Sequence, residues 1–192
     1  EDGSKQRIVA RALIWGDSTI ANDGIIKNVR HRMQDHFGDS GPGFLAVQVD
    51  PRWSFRRDIV RKPKGDWNTK TIVFGGGNDG RYGLAGTVST ALAGSQATLG
   101  GVKVDGERQA LNHFQVFYQK QPNGGNINIS TQSKSSTVKT SSEGYADGFY
   151  HLYVPHGDPY LYLSVDDAPV TLYGVAMEND NSGVTWETFG VA

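Results

Sequence analysis

The sequence predicts a mixed, mainly β protein: one N-terminal β-α unit of an α/β sheet, then an antiparallel β-sandwich or jelly roll. Three observations lead there. A convincing helical pattern occurs once, between residues 22 and 38. From about residue 45 to 175, short runs of alternating apolar and polar residues recur, separated by Gly, Pro, Asn, Asp and Ser. Glycine accounts for 25 of the 192 residues, which fits many tight turns.

Taken in order, Arg7 to Trp15 is short and almost continuously apolar, and Gly16 follows it. That pattern predicts a strand buried on both faces. After the turn Gly16-Asp-Ser-Thr19, either Asn22 or Asp23 can cap a helix. Ile26, Val29, Met33 and Phe37 recur at spacings of three and four and form its expected apolar face. Lys27, Arg30, Arg32, Gln34 and Asp35 fall on the wetter side, and Gly38 is the expected stop. Strand, turn and helix place Ser18 just beyond the carboxyl end of a strand, where α/β sheets present their chemistry.

The remainder reads as strands. Leu111 to Gln121 alternates around Phe114, Val116 and Tyr118; Pro122 to Gly125 is a turn; Asn126 to Thr131 alternates again. Phe149 to Val154 and Tyr160 to Val165 are two more runs, joined by Pro155 to Pro159, and Val170 to Met177 is apolar. The Ser/Thr/Lys-rich stretch Ser130 to Ser142 is expected to be an exposed edge strand. Because a lone β-α unit cannot cover itself, Val184 to Val191 is read as a strand returning to it.

Composition narrows the function. A chain of 192 residues can bury a core without staples, as one domain or two small ones. With no cysteine, a disulfide scaffold, a thiolate zinc site and a cysteine nucleophile are excluded. Lys and Arg number 19 against 20 Asp and Glu, so the chain lacks the excess positive charge of nucleic-acid binders. No apolar run approaches the roughly 18–20 residues of a membrane-spanning helix.

Ile14-Trp-Gly-Asp-Ser-Thr19 resembles the first block of SGNH/GDSL-type serine esterases, in which the serine is the acyl nucleophile. Phe37-Gly-Asp-Ser-Gly-Pro-Gly-Phe44 extends the likeness to the bacterial branch of peptidoglycan O-acetylesterases, which carries a β-sandwich inserted after that block. Tyr82 to Gly86, Tyr118 to Gly125 and Leu172 to Asp180 resemble its sandwich and return, and Phe189-Gly-Val-Ala192 resembles the start of the second block. Thr19 stands where that branch usually has histidine. The resemblance implies residues 1–44 as the first block of an SGNH-type catalytic domain. It implies 45–180 as an inserted β-sandwich, a possible carbohydrate-binding module, and 181–192 as the return to a catalytic domain truncated there. It also implies Ser18 as nucleophile, Gly190 as an oxyanion block, no metal or organic cofactor, and a periplasmic or secreted location. The substrate it implies is an acylated polysaccharide or peptidoglycan-like polymer.

The residues supply only part of such a site. Ester hydrolysis needs a nucleophile, a base and oxyanion donors. The family's base comes from a late Asp-x-x-His, but the residues three before His31, His36, His113, His151 and His156 are Asn28, Met33, Ala110, Gly148 and Tyr153. Gly76-Gly-Asn-Asp79, after a strand-like Thr71 to Phe74, matches the family's Gly-x-Asn-Asp but also reads as turn chemistry. The expectation is therefore an N-terminal portion of a serine ester hydrolase whose Asp and His lie on a C-terminal portion. A compact site using Asn78 with His151 or His156 is a further possibility. The alternative from another class is a non-catalytic sandwich that binds glycan or a protein, with Ser18 as a turn residue. Two features bear on it: the basic stretch of Arg52, Arg56, Arg57, Arg61, Lys62 and Lys64, suited to an acidic polymer, and Trp53, Trp67, Tyr160 and Tyr162, suited to stacking on sugar rings.

Overall fold

A computed structural model describes residues 6–49, 56–74, 80–104 and 106–190. The chain opens with strand β1 (Val9–Gly16), a one-turn helix α1 (Ser18–Ala21) and helix α2 (Gly24–Phe37). The strands that follow are β2 (Gly43–Leu45), β3 (Val60–Lys64), β4 (Trp67–Thr71), β5 (Thr87–Ala91) and β6 (Gln96–Gly100), then a small hairpin of β7 (Lys103–Val104) and β8 (Glu107–Arg108). The last seven are β9 (Leu111–Lys120), β10 (Asn126–Ser130), β11 (Ser135–Lys139), β12 (Ala146–Asp158), β13 (Tyr160–Val165), β14 (Val170–Glu178) and β15 (Gly183–Gly190).

Two antiparallel sheets face each other as a sandwich. One has the order β11-β10-β13-β6-β3; the other runs β12-β9-β14-β5-β4, with β2 also on β14. The period-two pattern explains the core: Leu99, Phe114, Ile127, Ile129, Leu161, Leu172 and Met177 are buried between the sheets, and along β10 and β13 buried residues alternate with more exposed ones. The two runs on either side of Pro155 to Pro159 part company, because β12 and β13 enter different sheets. β11 is the outermost strand of its sheet, as its Ser/Thr/Lys composition led us to expect.

The returning strand expected from Val184 is present: β15 pairs with β1 in parallel, from Val9 opposite Gly183 to Gly16 opposite Gly190, and Val191 lies outside the described residues. Burial of this pair departs from expectation. β1 is not covered on both faces: Leu13 is 36% and Trp15 55% exposed, and β15 is its only strand partner among the described residues. Helix α2 also turns a different face inward. Ile26, Arg30 and Gln34 are its buried residues, whereas Phe37 is 57% exposed. Arg30 and Gln34 can be buried because each finds polar partners there: Asp23 and Asp58 for Arg30, and Asp39 and the Val184 carbonyl for Gln34. Gly38 ends α2 at φ 95°, as anticipated. The run from Thr71 to Phe74 does not continue as a strand; β4 ends at Thr71 and residues 72–74 form an exposed turn.

Candidate functional site around Ser18

Ser18 lies at the exit of the parallel ladder. Asp17 precedes it as the cap of α1, its carboxylate accepting a hydrogen bond from the Thr19 N–H at 2.9 Å while its carbonyl accepts from the Ile20 and Ala21 N–H groups. That geometry gives Asp17 a turn-forming role and leaves the Ser18 side chain exposed. Gly190 pairs with Gly16 on the neighbouring strand, and its α-carbon abuts α1: a Cβ at 190 would run into the Ala21 backbone nitrogen. The structure therefore brings the Ser18 corner and Gly190 together at the carboxyl ends of two parallel strands.

A chain of rings ties this corner to the sandwich. Trp15 packs on Phe189 with centroids 5.5 Å apart, Phe189 on Phe44 at 5.9 Å, and Phe44 on Phe117 at 5.7 Å. The Trp15 indole N–H donates to the Leu84 carbonyl at 2.9 Å. Beneath, the Phe44 N–H and the Thr185 hydroxyl donate to Glu187 Oε1. Burial pushes the Glu187 carboxyl above its ordinary range against those two bonds. On the other side, Arg30 binds Asp23 and Asp58, and Arg56 Nε donates to Asp58 at 3.1 Å. Burial opposes ionisation of Asp58, but Arg56 and Arg30 prevail and hold its carboxyl below the usual range.

No histidine hydrogen-bonds Ser18 among the described residues. The structure instead builds a cluster that the sequence reading missed. His113 Nδ1 lies 3.0 Å from His151 Nε2, His113 Nε2 lies 2.8 Å from Asp180 Oδ1, and the Tyr153 hydroxyl donates to Asp180 Oδ2 at 3.0 Å. Asp180 precedes the entry of β15, whereas Gly190 is at its exit; an eight-residue strand spans about 23 Å. The cluster is thus anchored at the end of β15 remote from Ser18. His113 and Tyr153 face each other across β9 and β12, and Glu178 faces His113 from β14, a register that local sequence does not announce. His31 and His36 lie on α2, and His156 is an exposed residue of β12. No group of three or more His, Asp or Glu side chains among the described residues is arranged to hold a metal ion. Arg52, Trp53 and Gly76 to Asp79 with Asn78 fall outside the described residues.

No family model matches the chain, and no curated protein matches it. Among solved structures, a peptidoglycan O-acetylesterase superposes with a TM-score of 0.70 at 21% identity, over 95% of this chain and 47% of its own. A family 29 carbohydrate-binding module reaches 0.41 at 12% identity, covering 76% of this chain and 88% of the module. The C-terminal family 6 module of a marine laminarinase from Zobellia galactanivorans reaches 0.39 at 9%, covering 61% and 90%. The first of these shares the fold of nearly the whole chain, which spans about half the length of that esterase. The other two are too distant to carry an argument. No helix among the described residues is long and apolar enough to cross a membrane, which says nothing of β-barrels.

Proposed function

We propose that this chain carries the nucleophile corner of an SGNH-type serine ester hydrolase that deacylates, chiefly deacetylates, a carbohydrate or cell-wall polymer in the periplasm or outside the cell. The observation that carries the reading is the exposed Ser18 hydroxyl at the exit of a parallel β-α unit, beside Gly190. The shared fold with a peptidoglycan O-acetylesterase supports it. In this reading Ser18 Oγ attacks the ester carbonyl carbon, and the Ser18 N–H with the Gly190 block stabilises the oxyanion. The tetrahedral intermediate collapses, the sugar hydroxyl leaves with a proton, and water hydrolyses the acyl-enzyme. Residues 1–44 and 181–192 belong to the catalytic domain, and 45–180 are its sandwich. The base is a histidine oriented by an aspartate on a further segment. That segment packs on the open face of β1, where Leu13 and Trp15 stand exposed.

Labelling with a fluorophosphonate tests this. The 192-residue chain alone is expected to stay unlabelled and to leave an acetyl ester intact. Once joined to a segment bearing the Asp and His, Ser18 is labelled, and Ser18→Ala abolishes labelling. Robust turnover by the chain alone, lost in Ser18→Ala, overturns the divided site. No labelling of the joined protein overturns the nucleophile and leaves a glycan-binding module as the reading.

A further inference from the structure

Two sequence features left aside by the esterase reading, Lys62 of the basic stretch and the tyrosine pair, meet on the outer face of the five-stranded sheet. The register puts Tyr160, Gly100 and Val60 in one cross-strand row, and Tyr162, Thr98 and Lys62 in the next. Ser130 extends the second row on the other side of Tyr162. The alternation that buries Leu161 and Leu163 turns both tyrosines outward, and Tyr162 is 37% exposed. Their rings lie 6.3 Å apart. Gly100 is what allows Tyr160 to lie down: a Cβ there would sit 2.7 Å from its ring and 3.1 Å from Val60 Cβ.

Lys62, Thr98, Tyr160 and Tyr162 line a shallow groove of about 460 Å³ together with Arg108. Among the described residues, no carboxylate lines it. Arg108 is held in place by donating from Nη1 to the Asp58 and Gly101 carbonyls, at 3.0 and 2.9 Å. Lys62 is exposed and makes no ion pair among the described residues. Arg61, the preceding residue of β3, is half-buried; burial and then the neighbouring Arg56 push it down to about 10, with Asp58 opposing. Aromatic faces and two cations beside the Thr98 hydroxyl suit a ligand with a flat apolar face, hydroxyls and a negative charge.

We infer that this groove binds an acidic glycan: a sugar ring packs on Tyr160 and Tyr162 while its carboxylate pairs with Lys62 and Arg108. Among the described residues the groove shares no lining residue with the Ser18 corner, and its assignment does not rest on the esterase reading. It would hold the chain on a polyanionic polymer whatever its chemistry elsewhere.

The test is calorimetric titration of the full chain with an oligogalacturonate, against a neutral β-glucan oligomer and poly-glutamate of matched charge. Oligogalacturonate alone is expected to bind measurably, and more weakly as salt rises. Tyr162→Ala and Lys62→Glu each weaken it by about tenfold, the scale of one aromatic or one charged contact, while Tyr162→Phe keeps it. Ser18→Ala leaves it unchanged. Equal binding of poly-glutamate overturns the sugar component, equal binding of the neutral glucan overturns the charge component, and indifference to both Tyr162→Ala and Lys62→Glu in folded protein overturns the site. No binding at all overturns the proposal.

Discussion

Arg30 grips Asp23 through two hydrogen bonds, Nη2 to Oδ2 at 2.8 Å and Nη1 to Oδ1 at 3.0 Å, and both side chains are buried. Asp23 adopts φ 55° at the start of α2, and its carboxylate serves the arginine instead of capping the helix. Thr188 of β15 also donates to it, at 3.3 Å. The pair thereby fixes the α1–α2 junction against the strand that carries Gly190.

Removing one partner of such a pair leaves a buried charge uncompensated. Arg30→Met is expected to destabilise the fold by about 3–5 kcal/mol. Chemical unfolding monitored by circular dichroism measures it. Adding Asp23→Asn to that variant is expected to restore part of the loss, since one stranded charge is then gone.

Gly190→Ala places a methyl group against the Ala21 backbone. Backbone cannot rotate away as a side-chain tip can, so α1 must shift. A loss of about 1–3 kcal/mol is expected, the usual scale of overpacking. Hydrogen exchange should show faster opening at Ala21 and Asn22, whose N–H groups hold the turn. Unchanged exchange there would show that strand and helix are not in contact.

His151 is held below its ordinary 6.5, first by burial and then by His113, with Glu178 opposing. The unfolded chain therefore takes up a proton that the folded chain resists. This contribution to stability is complete above about pH 6.5 and declines as the pH falls through that value. Thermal unfolding between pH 8 and 5 should show the decline, and His151→Gln should flatten it.

Glu187 has the opposite sign. Burial raises its carboxyl above 4.5, so its contribution is complete below the ordinary glutamate range and is lost as the pH rises through the folded value. Glu187→Gln removes this dependence. Relative to the parent, the variant should gain stability steadily as the pH is raised from about 4.5, as urea titration across pH would reveal.

Much of this arrangement was legible in the sequence. The alternation in Phe114, Val116 and Tyr118 marks β9, and Gly38 marks the end of α2, because single-residue geometry decides both. The return of the strand after Val184 followed from the need of β1 for a neighbour. Arg30 was misplaced because periodicity assigns a charge to water, and only the fold supplies Asp23 and Asp58 as partners. His113 and His151 are 38 residues apart, and their meeting depends on the pairing of β9 with β12. No motif encodes a register between distant strands.

The unpaired margin of β1 carries a practical consequence. Its outward amides and carbonyls have no strand partner among the described residues, and Ile8, Leu13 and Trp15 stand bare beside them. A chain handled in isolation thus offers a sticky template to any extended peptide, its own duplicates included. Concentrated samples should be watched by light scattering for oligomers that grow from this rim.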